Sequence, residues 1–150
     1  MIIETDPGAP GPRALLERHL AFCRGTTAPE DVHALDLDGL RAENVTFFSL
    51  TEDGDVLAVG ALKDLGDGHG EIKSMHTAAE SRGRGLGERM VDHLLAVARA
   101  RGMTRISLET GAGNAFAAPR RLYARAGFEP CGPFADYPDS PNSTWMTLEL

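Results

Sequence analysis

The stretch EIKSMHTAAESRGRGLGERMVDHLLAVARARG, residues 71–102, decides the fold of this chain. It starts with a strand pattern over residues 71–77, passes through a turn rich in glycine and arginine, and ends in an amphipathic helix closed by Gly102. In the turn, Gly83, Gly85 and Gly87 alternate with other residues just before the helix begins. Glycines leave backbone N–H groups accessible where the helix dipole attracts anions, so the turn predicts a phosphate-binding site.

The neighbouring segments extend this stretch into a sheet. β-branched and aromatic residues separated by turn signals predict antiparallel strands over 45–51 and 56–63, followed by 71–77, where alternation places Ile72, Ser74 and His76 on one face. A strand over 104–110 follows the helix, and a strand–helix–strand unit of this length predicts a right-handed crossover with a parallel pair. Further short strands are predicted over 1–5, from Phe128 and over 143–150.

Two more helices are expected outside the central stretch. Apolar residues at three- and four-residue spacing predict a helix over 13–24, preceded by an irregular connection over 7–12 that is rich in proline and glycine. A shorter helix starts at Pro119 and stops at Gly127. The polar segment 26–44 is either a connector or a wall of a substrate site.

Composition indicates one ordinary globular domain over residues 1–150. The chain has 42% hydrophobic and 25% charged residues, and 150 residues are enough for a single core. Its formal net charge of −7 disfavours nucleic acid and anionic membranes as partners, because like charges repel, and is compatible with an amine substrate.

Metal binding, secretion and membrane insertion are not expected. Cys23 and Cys131 lie far apart in the sequence, and the five histidines show no ligand spacing, so no metal is predicted. Acidic residues near the start argue against a signal peptide, and no apolar run is long enough to span a bilayer. We therefore expect a cytoplasmic protein.

The glycine turn has two rival interpretations. A dinucleotide-binding G-x-G-x-x-G motif places Glu88 or Met90 at the third position, where helix packing needs a small residue. A P-loop needs a lysine followed by serine or threonine, which this turn lacks. Affinity for NAD(H) would favour the dinucleotide alternative.

The turn resembles the acyl-CoA-binding motif of the GNAT superfamily of N-acetyltransferases. The pattern R/Q-x-x-G-x-G/A is present as Arg82, Gly85 and Gly87. Downstream, Asn114 followed by Leu122-Tyr123 and Gly127-Phe128 resembles the second motif of that superfamily, N…LY…GF.

The resemblance implies an α/β (α+β) fold, in which a mixed, mostly antiparallel sheet is splayed at a parallel strand pair and carries helices on both faces. It further implies that acetyl-CoA is the co-substrate. The implied CoA-binding residues are Met75, His76, Thr77, Arg82, Gly83, Arg84, Gly85, Leu86, Gly87, Asn114 and Tyr123.

Tyr123 matches the family tyrosine that protonates the leaving CoA thiolate. A phenol is a suitable acid there, since its pKa of about 10 is comparable to that of a departing thiol and it stays protonated at neutral pH. The attacking amine needs a proton acceptor, for which Glu109 at the end of its strand is our leading candidate. Glu71 and His76 compete with it.

The function implied is acetyl-CoA-dependent transfer of an acetyl group to a primary amine of a small molecule or peptide, by direct attack in a ternary complex. The alternative is a non-catalytic acyl-CoA sensor or interaction module. No motif identifies the acceptor, and a homodimer, common for domains of this size, stays open.

Overall fold

Seven strands form one mixed sheet in the computed structural model, which describes residues 1–26 and 37–150. The strands, in sheet order, are β1 (Ile2–Glu4), β2 (Val45–Glu52), β3 (Asp55–Gly66), β4 (His69–Thr77), β5 (Arg105–Gly111), β7 (Ser143–Glu149) and β6 (Glu129–Cys131). Neighbouring strands pair antiparallel except β4 and β5, which are parallel. The predicted mixed, mostly antiparallel sheet with one parallel pair is therefore confirmed.

Helices cover both faces of this sheet, as predicted. They are α1 (Pro10–Thr26), α2 (Leu37–Leu40), α3 (Leu86–Ala100) and α4 (Ala117–Arg125). Helix α1 begins earlier than the predicted residue 13, so the expected irregular connection over 7–12 is wrong for its second half. Proline fits the first turn of a helix, where its missing N–H would have no partner, so Pro10 and Pro12 start α1. Much of the predicted connector over 26–44 lies outside the described residues.

Two apolar clusters fix these helices to the sheet. On one face, the buried stripe of α3 that includes Met90 and Leu94 packs on strand residues such as Leu62 and Ile106. On the other face, Leu15, Leu16 and Leu40 pack on Phe47, Val59 and Ala61. The second cluster lies mainly over β2 and β3, and α1 also reaches the end of β4, where the His19 ring lies against that of His76.

The parallel pair separates partway along its length. Pairing runs from His69 with Arg105 to Ile72 with Leu108 and stops there. Beyond that point β4 continues beside β3 as far as Thr77, and β5 continues beside β7 as far as Gly111. The two strands thus diverge toward their carboxyl ends, which leaves a gap between them.

A β-bulge at Ser74 and Met75 changes which side chains share a face. On β3, Val59 and Ala61 are two residues apart, whereas their partners on β4, His76 and Lys73, are three apart. Ser74 adopts a φ of 56° to accommodate the extra residue. The predicted alternation of Ile72, Ser74 and His76 on one face is therefore wrong, because Met75, and not His76, follows Ile72 into the α3 cluster.

None of the helices in the described ranges 1–26 and 37–150 is long and apolar enough to cross a membrane.

The close packing at the bulge makes Gly60 sensitive to substitution. A Cβ at Gly60 would lie 2.8 Å from Met75 Sδ and 2.9 Å from Met90 Cγ. We expect Gly60→Ala to lower the free energy of unfolding by about 1–3 kcal/mol, because the closely packed side chains of the two methionines have to move. Urea denaturation measures this change.

Gly132→Ala is the matched control, since no atom of the part of the chain that the structure describes lies within 4 Å of its added Cβ. It should change stability by less than about 0.5 kcal/mol. Equal effects of the two substitutions would contradict the close packing at the bulge.

Candidate active site

A cavity of about 450 Å³ opens where β4 and β5 diverge. Its walls come from the ends of these strands, one face of α1, the glycine turn with the start of α3, the start of α4, and the loop before β7. The structure therefore brings to one place the glycine turn, both candidate carboxylates and Tyr123.

The glycine turn forms one end of the cavity. Gly83 and Gly85 have φ values of 80° and 75°, which side-chain-bearing residues rarely adopt. Gly85 is the N-cap of α3, and among the described residues there is no side-chain capping bond and no atom within 4 Å of where its Cβ would be. An anion can therefore approach the N–H groups of the first turn of α3 directly.

Gly87 is needed for a different reason, since its added Cβ would lie 3.0 Å from Leu122 of α4. Leu86 is buried at the start of α3 and lines the cavity beside it.

The two arginines of the turn have different surroundings. Arg82 is exposed and lines the cavity. Arg84 Nη2 lies 2.8 Å from both carboxylate oxygens of Glu52, and Arg84 is not among the cavity-lining residues. Only Arg82 thus has a side chain placed to meet a ligand, and the predicted contact from Arg84 would have to come from its backbone.

The strand end predicted to hold the cofactor also lines the cavity. Met75, His76 and Thr77 follow the point where β4 leaves β5, so their backbone groups have no partners from β5. The His76 ring faces α1, where its centroid lies 5.3 Å from that of His19. Burial, followed by the nearby arginines Arg82 and Arg18, lowers the pKa of His76. His76 is therefore neutral near pH 7.

Tyr123 lies in α4 with 6% of its surface exposed, and it lines the cavity. Its ring packs edge-on against Phe128, 5.9 Å between centroids. Burial raises the pKa of its phenol, so the hydroxyl stays protonated at neutral pH.

Asn114 is not brought into the cavity. It is exposed at the start of a short 3₁₀ turn, Asn114–Phe116, and is not among the lining residues. Its neighbours Ala115 and Phe116 do line the cavity, and Phe116 packs tightly on Gly111. The contact between Asn114 and the cofactor stays a prediction.

The two candidate carboxylates have different partners. Glu109 is half-buried at the end of β5, and its Oε2 accepts a hydrogen bond from Ser143 Oγ at 2.8 Å. Glu71 is only 2% exposed, and its Oε2 lies 3.1 Å from Lys73 Nζ and also accepts a hydrogen bond from Tyr137. Both carboxylates line the cavity.

Lys73 and Tyr137 meet at the site through contacts that no motif in the sequence predicts. In the loop around Tyr137, Asp136 and Asp139 are exposed. Tyr137 instead turns inward to Lys73 and Glu71, residues more than sixty positions away along the chain. No spacing in the sequence signals a contact of that range.

Within residues 1–26 and 37–150, no group of three His, Cys, Asp or Glu residues could hold a metal ion. His19 and Cys23 lie one helical turn apart on the α1 wall, 3.8 Å between His19 Nε2 and Cys23 Sγ. Burial, and then the charge of Glu109, raise the pKa of the Cys23 thiol. Cys23 therefore remains a neutral thiol at neutral pH.

Comparison with known proteins agrees with this geometry. Residues 13–128 match the model of the acetyltransferase (GNAT) family. The chain is 42% identical to YsnE of Bacillus subtilis, an uncharacterized N-acetyltransferase, over 91% of each chain. It is 43% identical to YedL of Escherichia coli, another uncharacterized N-acetyltransferase, over 94% of this chain and 89% of YedL.

A further relative is the IAA acetyltransferase of Azospirillum brasilense, 35% identical over 81% of this chain and 78% of that protein. Among solved structures, a Klebsiella pneumoniae protein assigned as an acyl-CoA N-acyltransferase superposes with a TM-score of 0.82 at 28% identity. This superposition covers 100% of the present chain and 97% of the other.

The buried His19 makes stability depend on pH. Burial, and then the neighbouring His76, lower the pKa of His19 to about 4. The unfolded chain, with a histidine pKa near 6.5, binds more protons between these two values, so stability falls as the pH drops from about 6.5 to 4. His19 alone accounts for up to about 3 kcal/mol of this loss.

We expect the free energy of unfolding of the His19→Gln variant to fall less between pH 7 and pH 4 than that of the parent protein. This expectation does not depend on whether the two proteins are equally stable at pH 7. Urea denaturation at a series of pH values provides the two slopes. Parallel curves for the parent and the variant would show that His19 is not buried in its neutral form.

Proposed function

We propose that this chain, which belongs to the acetyltransferase (GNAT) family and is an N-acetyltransferase, acetylates a primary amine of a small molecule or peptide. The amine would attack acetyl-CoA directly in a ternary complex. The observation that carries this proposal is the shared cavity at the gap between β4 and β5. One end of that cavity is the glycine turn, and its walls hold Tyr123 and Glu109.

Acetyl-CoA fits the residues present. The uncapped N-terminus of α3 and the side chain of Arg82 would hold the pyrophosphate, since both favour anions. The backbone of Met75, His76 and Thr77, unpaired on the β5 side, would pair with the pantetheine arm. The thioester, which supplies the activated acetyl group, would then lie in the gap.

Direct attack is favoured over an acetylated cysteine intermediate. Cys23 is the cysteine in the cavity wall, and its raised pKa keeps it a thiol, whereas the thiolate is the nucleophile in such chemistry. The amine would therefore meet the thioester itself, and holding the two together provides most of the rate acceleration.

Glu109 is the better placed proton acceptor. Glu71 is buried, and one of its oxygens already accepts bonds from Lys73 and Tyr137. His76 packs against His19 of α1, and its lowered pKa makes it a weaker proton acceptor. Glu109 lies at the carboxyl end of β5, half-buried on the cavity wall, where an amine or a bridging water can reach it.

Tyr123 supplies the proton that the leaving thiolate needs. Its raised pKa keeps the phenol protonated over the whole neutral range, and its position on the cavity wall places it near the gap. A small-molecule acceptor is supported by the size of the cavity and by the named acceptor of the IAA acetyltransferase relative.

The deciding experiment combines calorimetric binding of CoA with thiol release from acetyl-CoA in the presence of a panel of amines. We expect CoA binding and amine-dependent thiol release. Tight CoA binding without thiol release for any amine would favour a sensor, and preferential binding of NAD(H) would return the glycine turn to a dinucleotide role.

Removing the Tyr123 hydroxyl should separate catalysis from binding. We expect Tyr123→Phe to lower kcat by about 10²- to 10⁴-fold, because the leaving thiolate loses its acid. The affinity for CoA should change little, since the ring remains in place. Steady-state kinetics and calorimetry measure the two effects, and an unchanged kcat would remove Tyr123 from the mechanism.

Neutralising Glu109 tests the proton acceptor. Glu109→Gln should lower kcat/KM for the amine by about 10²- to 10⁴-fold, because the amide cannot accept the proton. Glu129→Gln, on the exposed strand β6, is the matched control and should leave activity unchanged. A larger loss in Glu71→Gln than in Glu109→Gln would transfer the role to Glu71.

A further inference from the structure

A buried ammonium group forms part of the cavity wall. The sequence contains two lysines, Lys63 and Lys73, and the side chain of Lys73 is only 8% exposed while it lines the cavity. Burying a charge is unfavourable unless the charge is paired and hydrogen-bonded, so a lysine in this position calls for an explanation.

Two partners hold the Lys73 ammonium in place. Its Nζ lies 3.1 Å from Glu71 Oε2 and donates to the Tyr137 hydroxyl, while the ring centroid of Tyr137 lies 5.1 Å away. The Tyr137 ring packs against Phe134 at 5.2 Å between centroids, and Phe134 packs against His69. This packing fixes the loop before β7, and with it the position of Nζ.

One of the three N–H donors of Lys73 has no partner among residues 1–26 and 37–150, which the structure describes. An ammonium can donate three hydrogen bonds, and Glu71 and Tyr137 account for two of them. Among the described residues, Nζ makes no other hydrogen bond or ion pair. The third donor is thus available to a ligand in the cavity.

Lys73 and Glu109 occupy equivalent register positions on β4 and β5, at the start of the gap between the two strands. The last paired residues are Ile72 and Leu108, so Lys73 and Glu109 are the next residues on their strands, and both line the cavity. The hydrogen bond between His69 and Ser107, at 2.7 Å, shows that the corresponding side chains of the two strands share a face. A cation and a carboxylate therefore face the same cavity from opposite sides of the gap, at the point where the two strands begin to separate.

We propose that Lys73 binds a carboxyl or carbonyl oxygen of the acceptor, and that the acceptor is an amino acid or a compound with the same arrangement of oxygen and primary amine. The inference rests on the proposed function, in which Glu109 receives the amine. In an α-amino acid, or at a peptide N-terminus, three bonds separate the nitrogen from such an oxygen, which is short enough to bridge the two side chains. A polyamine, by contrast, would bring a second ammonium against Lys73.

Matched acceptors test this inference. We compare kcat/KM for alanine, leucine and phenylalanine with kcat/KM for ethylamine, isopentylamine and phenethylamine, which lack only the carboxyl group. The three amino acid amides form a third arm, because they keep a carbonyl oxygen but no negative charge. Preference for the acids alone indicates a free amino acid, and equal preference for the amides indicates a peptide N-terminus.

The variant is the double substitution Glu71→Gln with Lys73→Met, which removes the ion pair without leaving an unpaired buried charge. We expect the preference for the oxygen-bearing acceptors to fall by about 10- to 100-fold, the usual effect of losing a charge-assisted hydrogen bond. Differences in amine basicity cancel, because the same compounds are compared in both proteins. Lys63→Met, at the other lysine and outside the cavity lining, should leave the preference unchanged.

A second readout does not depend on turnover. Leucine and isopentylamine are titrated calorimetrically into the enzyme saturated with CoA, and leucine should bind more tightly to the parent but not to the double variant. Such binding without acetylation of any amine would support the Lys73 site and reject the proposed function.

Three results would overturn the inference. The first is a parent enzyme that shows no preference for the oxygen-bearing compounds in either readout. The second is a preference that survives in the double variant. The third is a rise in KM for acetyl-CoA with no change in acceptor preference, which would assign Lys73 to the cofactor.

Discussion

The site depends on the place where the parallel pairing of β4 and β5 stops. Backbone hydrogen bonds hold the two strands together as far as Ile72 and Leu108, after which each strand stays with its other neighbour. Unpaired backbone groups are tolerated at such an edge only if water or a ligand satisfies them. The gap is therefore both the weak point of the sheet and the place where an extended ligand can pair with it.

The two faces of the sheet differ in polarity around this gap. The α3 side is apolar, and its packed stripe fixes the start of the helix and the glycine turn relative to β4. The opposite face carries charged and polar residues over β4 and β5, where the loop before β7 covers it. Donor and acceptor molecules would thus be held by different parts of the fold and meet in the gap.

Much of the fold follows from local patterns. Helix α3 connects β4, which contains Glu71, to β5, which contains Ser107. The length of this connection predicted a right-handed crossover and therefore a parallel strand pair. The bulge at Ser74 could not be predicted from the local sequence. Its extra residue depends on the packing of Gly60, Met75 and Met90 and not on a turn-forming sequence. Its effect was to reverse the faces of the residues that follow it.

The sequence by itself determined the glycine turn, the order of strands and helices, and the family motifs, because each of these depends on residues close together in the chain. It also identified Tyr123 and Glu109 as candidates, and both line the cavity. Only the tertiary structure decided that Arg84 turns to Glu52, that Asn114 is not part of the cavity lining, and that Tyr137 reaches the Lys73 and Glu71 pair. Contacts between distant segments arise from how whole elements pack, and the spacing of residues along the chain does not predict them.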